Sequence, residues 1–439
     1  MDTKQPGLPR FARNDEYLSS LRGAQRCGNR NDGWVGVIAS VARQSIGVLL
    51  LLCLGAPALA QDAPGLKLNA SYAMQTDSNL FRLPAGVDTL ALVGASSAAD
   101  RIGVASAGLS FRSVQSLQKF ELDASLVDYR YQNFSYLSFT ARNYNAAWRW
   151  ALTPRLTGNL TSERKQSINS FADYQNYFQS NQRTNNDTRL NAVYELTGPW
   201  RLVAGLAQAR QTNQQALLVG GDDYTSNAAD VGVRLLYGSG NSLTYSARRY
   251  DGNYLNRVPN AASLYDASFR QTEHDLRLSW VLSGKTSASA NLAYLSRSHP
   301  TYSQRDYSGF NLGAAVNWLI SGKSGLSADY THQLESYQTS SSNYSQTDRI
   351  SLGPVWQTSA KTALSLRHVW SQIDYLGAPG ASASPARRDL TRDTTLSFNW
   401  QPYQQITLSA ALQSATRGSN QPNLDYDSRM ASVSAQYSY

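Results

Sequence analysis

An all-β chain, closed into a transmembrane antiparallel barrel of about eighteen strands (sixteen is the alternative count), is predicted by three features of this sequence. Apolar and polar residues alternate with period two, short and long connectors alternate between the periodic segments, and tryptophans gather beside the short connectors. Successive side chains of a strand point to opposite faces, so each segment has one apolar and one polar face. Lipid would cover the first, and closure leaves no unpaired strand edge.

Composition excludes the main competitors. Of 439 residues 41% are hydrophobic, and mean hydropathy is −0.42. A polytopic helical membrane protein needs repeated runs of about 20 apolar residues, and only one such run is approached. Charged residues make up 16%, against about 25% in ordinary soluble domains. Aromatic residues at 10% argue against disorder. The net charge of +9 is spread without a basic patch or motif for nucleic acid.

The N-terminal segment reads as an export leader. Arg43 precedes the apolar run Ile46–Leu54, and Ala58 and Ala60 supply small residues for cleavage before Gln61. The run is about half a membrane span, and Leu51 and Leu52 replace the small residues that should precede a lipidated Cys53. Residues 1–42 are long and polar for such a leader, which predicts a true start further along. The leader is therefore assigned to 1–60 and the barrel to 61–439. Cys27 and Cys53 leave with the leader, so the exported part has no thiol and no disulfide framework.

The elements follow in order. Leu66, Leu68, Ala70 and Tyr72 alternate with Lys67, Asn69 and Ser71 in the first strand. The same rhythm runs through Phe120–Leu126, Val231–Tyr237, Leu276–Trp280 and Ile406–Leu412, and no segment sustains a helical period. Short connectors are expected at Val114–Ser116, Thr153-Pro154, Gly198-Pro199, Gly238–Asn241, Ser283–Lys285, Ser321–Gly325, Ser359–Lys361 and Pro402-Tyr403. Long ones are expected near 77–99, 128–138, 166–186, 212–224, 252–269, 298–306, 336–345, 375–389 and 417–425. Short periplasmic turns and long extracellular loops between roughly 10-residue strands are the pattern of outer-membrane barrels. Trp148, Trp150, Trp200, Trp280, Trp318, Trp356 and Trp400 fall beside short connectors, while Trp370 does not. Such a belt suits a membrane interface, where indole keeps its ring apolar and its N–H wet. A soluble exported sandwich or β-helix has no reason to cluster tryptophan at one end. The last strand alternates Ala431, Val433, Ala435, Tyr437 and Tyr439 with polar residues, as a signal for barrel-assembly machinery would.

Parity then assigns the lumen. Lys67, Arg112, Lys119, Arg149, Arg189, Arg201, Arg234, Arg248, Arg277, Arg349 and Arg367 oppose the apolar face, as do Glu121, Asp123, Glu195, Glu273, Asp275, Asp329 and Asp393. Arg149, Arg234, Arg277 and Arg367 are the pore-lining candidates. Unpaired, they would favour acidic solutes or acidic sugars; paired and solvated, they are ordinary wall residues. Tyr174, Tyr177 and Tyr254, with neighbouring asparagines, are candidates for stacking on sugar rings from the loops, or are simply exposed loop residues. No metal-ligand spacing, phosphate loop or nucleophile elbow is present, so no catalytic residue, cofactor or metal is assigned.

The stretch Asp77-Ser78-Asn79-Leu80-Phe81-Arg82-Leu83-Pro84 resembles the EpsL family, as does Val127-Asp128-Tyr129-Arg130-Tyr131-Gln132-Asn133-Phe134 with Asn143, Tyr144 and Trp148. These are β-barrel proteins of exosortase-associated exopolysaccharide operons. The resemblance implies an outer-membrane component through which polysaccharide leaves the cell, working beside periplasmic polysaccharide-export proteins. It carries over no functional residue. Leu80, Phe81, Leu83 and Pro84 suit an inward-folded first loop as well as a ligand contact. A general diffusion porin and a plugged structural or adhesin-like barrel remain as alternatives.

Overall fold

Eighteen strands form, each antiparallel to the next. The computed structural model describes residues 65–172, 178–215, 223–238, 240–380 and 385–439; the leader lies outside them. The first third of the wall is β1 (Gly65–Asp77), β2 (Asp100–Gln115), β3 (Gln118–Tyr131), β4 (Phe139–Thr153), β5 (Leu156–Ile168) and β6 (Gln182–Glu195). It continues with β7 (Trp200–Asn213), β8 (Tyr224–Tyr237), β9 (Asn241–Tyr254), β10 (Ser268–Ser283), β11 (Thr286–Ser298) and β12 (Tyr307–Leu319). The last six are β13 (Ser324–Ser336), β14 (Tyr344–Ser359), β15 (Thr362–Leu376), β16 (Arg388–Tyr403), β17 (Ile406–Ser419) and β18 (Tyr426–Ser438). One short helix, α1 (Thr89–Val93), lies in the first long loop, where the Asp88 carboxylate accepts from the Leu90 and Ala91 N–H groups.

β1 closes the ring on β18 in a register running from Asn69 opposite Ser438 to Asp77 opposite Met430. Leu68 and Tyr439 exchange both backbone hydrogen bonds at 2.9 Å, which carries the closure to the last residue. The wall is thus a cylinder without an edge, and both ends of the described chain lie on the short-turn side.

Parity holds along the wall. Leu66, Leu68, Leu206, Leu276 and Leu412 stand exposed on the outside while Lys67, Arg201, Arg277 and Gln413 lie on the alternating positions. An apolar surface encircling the molecule is intolerable in water and is what hydrocarbon requires. This is an outer-membrane barrel. Trp148, Trp200, Trp280, Trp318, Trp356 and Trp400 all face outward near the short turns. The Trp148 indole N–H donates to Gln118 Oε1 at 2.9 Å, the wet partner that an interfacial ring needs.

Two close approaches use glycine. The Trp150 ring lies where a Cβ on Gly158 would stand, on the outer face, and the Phe269 ring covers Gly252 on the inner face. Expected turns shift by one or two residues. The largest shift is at Pro402, which sits inside β16 rather than in the turn. The β16–β17 register slips between Trp400 and Tyr403, and a bulge tolerates a residue without an N–H.

Leu206 lies mid-strand on the lipid face and Ala207 on the lumen face. Leu206→Arg should cost about 2–4 kcal/mol, whereas Ala207→Gln should change stability little. Urea unfolding in phospholipid vesicles measures both.

Candidate functional site

The lumen divides into a wetted periplasmic half and a loop-filled extracellular half. Near the short turns the inward ion pairs remain solvated. Arg112 pairs with Asp123 at 2.8 Å, Arg149 with Glu121 at 3.0 Å and Arg201 with Glu195 at 2.7 Å, and the Asp123 side chain keeps 44% of its exposure. Towards the long loops the same chemistry is dry. Asp230 pairs with Arg189 and Arg248, which also donates to the Tyr250 hydroxyl at 2.9 Å, and Asp389 is fully buried against Arg387.

The four candidate arginines occupy the lumen face but do not converge. Arg149, Arg234, Arg277 and Arg367 lie on β4, β8, β10 and β15, spread around the wall. Arg149 is held bidentately by Glu121, Arg277 donates to one oxygen of Asp275, and Arg234 donates to Thr244 Oγ1 at 3.2 Å. Arg367 faces Thr395 on β16, with its Nε buried. Of the two readings open for these arginines, the paired wall residue is the one observed for Arg149 and Arg277, because cross-strand and i, i+2 neighbours on the lumen face supply carboxylates.

The constriction is made by loops instead. The first loop folds inward on an aromatic core that it shares with the second and third loops. Phe81 is fully buried, meeting Phe134, Phe171 and Phe178 edge-on at 4.6, 4.8 and 5.4 Å between ring centroids. Leu80, Leu83, Leu137 and the lumen-facing Ile102 complete the cluster. An ion-pair latch holds the loop at the wall. Arg82 donates to both Asp77 oxygens at 3.0 and 2.8 Å, and Asp77 also accepts from Ser428 Oγ and the Asn79 N–H. Asn79 turns the chain back by bonding the Leu83 N–H and carbonyl, and Arg82 takes the left-handed conformation at φ 57°. Of the two uses expected for Leu80, Phe81 and Leu83, packing is the one observed. The third loop reaches the wall at β17 and β18, where Ala172 packs on Ala415 and Tyr426. The Arg82 guanidinium approaches the same Tyr426 ring at 5.8 Å, so both loops converge there.

A second seal joins the fifth, sixth and seventh loops (255–267, 299–306 and 337–343). Arg257 donates to Gln338 Oε1 at 2.7 Å, which turns the Gln338 amide NH2 toward His299 Nε2 at 2.9 Å. His299 Nδ1–H then faces Asp306 Oδ1 at 3.1 Å, so the imidazole is neutral with both nitrogens satisfied. Burial first, and the neighbouring Arg297 second, push its pKa down to about 4. Arg305, almost wholly buried, donates to the Thr339 and Ser342 carbonyls, to Asn343 Oδ1 and to the Ser263 carbonyl. Motif reading could not find this seal, since Gln338 lies 39 residues from His299 and 81 from Arg257. The polar runs at 299–306 and 337–343 mark only loops.

Tyr174 and Tyr177 lie outside the described residues. Tyr254 is corrected: it ends β9 with its side chain buried, stacked by Arg257 at 3.6 Å and tilted against Phe269 at 5.8 Å. An inward position at the rim, capped by a guanidinium, replaces the open loop platform that was expected.

No family model matches the chain, and no curated protein matches it. Among solved structures it is similar to OccK2 (OpdF) of Pseudomonas aeruginosa at 12% identity and TM-score 0.49, covering 85% of this chain and 98% of that one. It is similar to OpdK of the same organism at 11% identity and TM-score 0.47, covering 85% and 99%. A third likeness is to a mutant form of the ferric enterobactin receptor PfeA, also of Pseudomonas aeruginosa, at 10% identity and TM-score 0.45, covering 86% and 81%. The class is defined by the molecule's own geometry: an eighteen-stranded outer-membrane barrel with a polar lumen and an inward-folded mouth.

Two outcomes follow. Asp77→Ala strands the Arg82 charge in a buried site, a loss of about 3–5 kcal/mol. Trypsin should then cut the folded barrel after Arg82 while leaving the parent intact there. The second seal should be acid-sensitive. With the His299 pKa below the ordinary 6.5 of a released imidazole, loop closure is at full strength above about pH 6.5. It weakens as pH falls toward 4, by up to about 1.4 kcal/mol per unit. Once intrinsic exchange at each pH is divided out, amide protection in the fifth to seventh loops should fall from pH 7 to 4.5, and His299→Gln should flatten that dependence.

Proposed function

We propose that this barrel is the outer-membrane channel through which an exopolysaccharide leaves the cell. A barrel of eighteen strands is wide enough for an aqueous passage, and its lumen face carries the hydrogen-bonding groups a hydroxyl-rich polymer needs. Asn145, Asn159, Asn191 and Asn399 stand on lumen positions among the paired charges. The observation that carries the reading is the asymmetry of the lumen. Its periplasmic half is open to solvent, while the first, third and fifth to seventh loops close the extracellular half. A polymer made inside would enter a wetted vestibule and meet the loops last. Inward tyrosines wait beneath those loops: Tyr224, Tyr250, Tyr254, Tyr307 and Tyr426 are all buried there. They would offer stacking faces to sugar rings once the loops part. The resemblance at Asp77–Pro84 supports the same reading, because that stretch builds the latch. Periplasmic polysaccharide-export proteins are the proposed partners at the open end, and barrel-assembly machinery at the last strand.

The test joins genetics with conductance. Deleting the gene should abolish surface polymer, and normal polymer yield in that strain would overturn the proposal. In planar bilayers the purified barrel should conduct little, and an Asp77→Ala/Arg82→Ala double variant should raise conductance about tenfold. Steady, wide conductance of the parent would instead mark a diffusion porin.

A further inference from the structure

We propose that the extracellular rim of the outer wall is a binding site for the phosphorylated head groups of outer-leaflet glycolipid. This rests on the membrane placement of the barrel and not on what passes through its lumen. Outward parity, traced upward from the apolar band, ends in arginine on five of the six strands β2 to β7. Arg101 on β2, Arg130 on β3, Arg142 on β4, Arg164 on β5 and Arg210 on β7 share the outward face with Leu109, Leu126, Trp148, Leu160 and Leu206 below them. Arg101, Arg130, Arg142 and Arg210 are exposed. The height is that of lipid head groups, immediately above hydrocarbon.

Three observations point to phosphate rather than to general solubility. The first is unbalanced charge. The outward carboxylate among these arginines is Asp128, engaged by Arg130 at 2.7 Å and by Thr140 Oγ1 at 2.7 Å, while the buried Asp223 lies within electrostatic reach of Arg210. Among the described residues Arg101, Arg142, Arg164 and Arg210 form no ion pair. The second is crowding. Arg164 stands directly opposite Tyr144, and Arg142 is the next outward residue above that tyrosine. Arg164 and Arg210 both stand opposite Asn186, two strand spacings or about 10 Å apart. Like charges set side by side on a sheet repel, and an anion from outside the chain relieves them. The third is residue choice. Lys67, Lys119 and Lys165 take lumen positions, and Lys285, Lys323 and Lys361 sit at the short turns, so no lysine among the described residues reaches this rim. The planar fork of arginine matches phosphate oxygens bidentately, which an ammonium cannot do.

The rim between β9 and β10 differs in a telling way. There Arg249 and Arg270 each lie 3.2 Å from Asp251, so the chain neutralises itself in part. The densest arc runs from β2 to β7, and Arg392 on β16 and Arg429 on β18 are further exposed outward arginines.

The experiment titrates the detergent-refolded full barrel with diphosphorylated lipid A, with dephosphorylated lipid A and with inorganic phosphate, read by native mass spectrometry. Diphosphorylated lipid should bind at least tenfold tighter than its dephosphorylated form, and the advantage should shrink as salt rises. R142Q/R164Q/R210Q should erase the preference while keeping heat-modifiable mobility, the sign of an intact barrel. Equal binding of the two lipids by the parent, or a preference unchanged in the triple variant, overturns the proposal. So does inorganic phosphate that competes fully with the lipid, which would mark a free-anion site. Should the triple variant fail to fold, the lipid comparison and its salt dependence in the parent still decide.

Discussion

A peptide group carried into hydrocarbon without a hydrogen-bond partner costs several kcal/mol, and this cost dictates the rest of the molecule. A sheet meets it only by closing. The pairing of β1 with β18, extended to Tyr439 by two further bonds, is therefore the condition on which every other strand depends. Closure also fixes proportions. Strands of 13 to 16 residues span roughly 45 Å at about 3.3 Å per residue. Tilted by about 40°, they rise roughly 35 Å, against an apolar band of about 25 Å. The surplus stands above the lipid on the extracellular side, where arginines replace leucines on the outside and loops fold into the inside.

Alternation then sorts charge without further instruction. A residue that cannot face lipid must face the lumen, and its neighbours there are two residues away or across one strand. Arg149 meets Glu121 and Arg112 meets Asp123 in that way. In the wetted half such pairs contribute little, since water screens them. In the dry half the same geometry carries high stakes. Removing Asp77 would leave the buried Arg82 without its carboxylate, and removing Asp230 would take away the carboxylate that Arg189 and Arg248 share. Charge pairing is thus a wall property near the turns and a closing device near the mouth.

This division explains what could be read from residues alone. Strand number, facing and the tryptophan belt were legible because lipid and water are uniform partners. A period-two pattern needs no knowledge of any particular neighbour. Turn positions were legible to within two residues, and Pro402 misled because a bulge admits proline where a regular ladder would not. The lumen facing of Arg149, Arg234, Arg277 and Arg367 was legible, but which of them is paired was not, since pairing depends on neighbours along and across the strands. Tyr254 misled for a related reason: its final inward place on β9 depends on Arg257 three residues on and on Phe269 across the strand pair. The His299 seal was beyond reach. Gln338, Arg257 and Asp306 come together only after three hairpins have closed.

The two ends of the cylinder solve different problems with the same wall. At the periplasmic end, tight turns and outward indoles fix depth in the membrane and leave the lumen wet. At the extracellular end, the long connectors fill the lumen. A closed wall cannot widen without breaking its ladder, so any change of passage must come from the loops. Among the described residues the contacts that hold them include a latch at Asp77–Arg82, an aromatic centre at Phe81, a shared ring at Tyr426, a relay through Gln338 and His299, and the four bonds of Arg305. Apart from the latch, whose two residues are 5 apart, each joins elements distant in the chain yet anchored to rigid strands, so the loops can release without disturbing the cylinder. Function in this barrel is therefore vested in the strength of those contacts, and the wall serves to hold them in register.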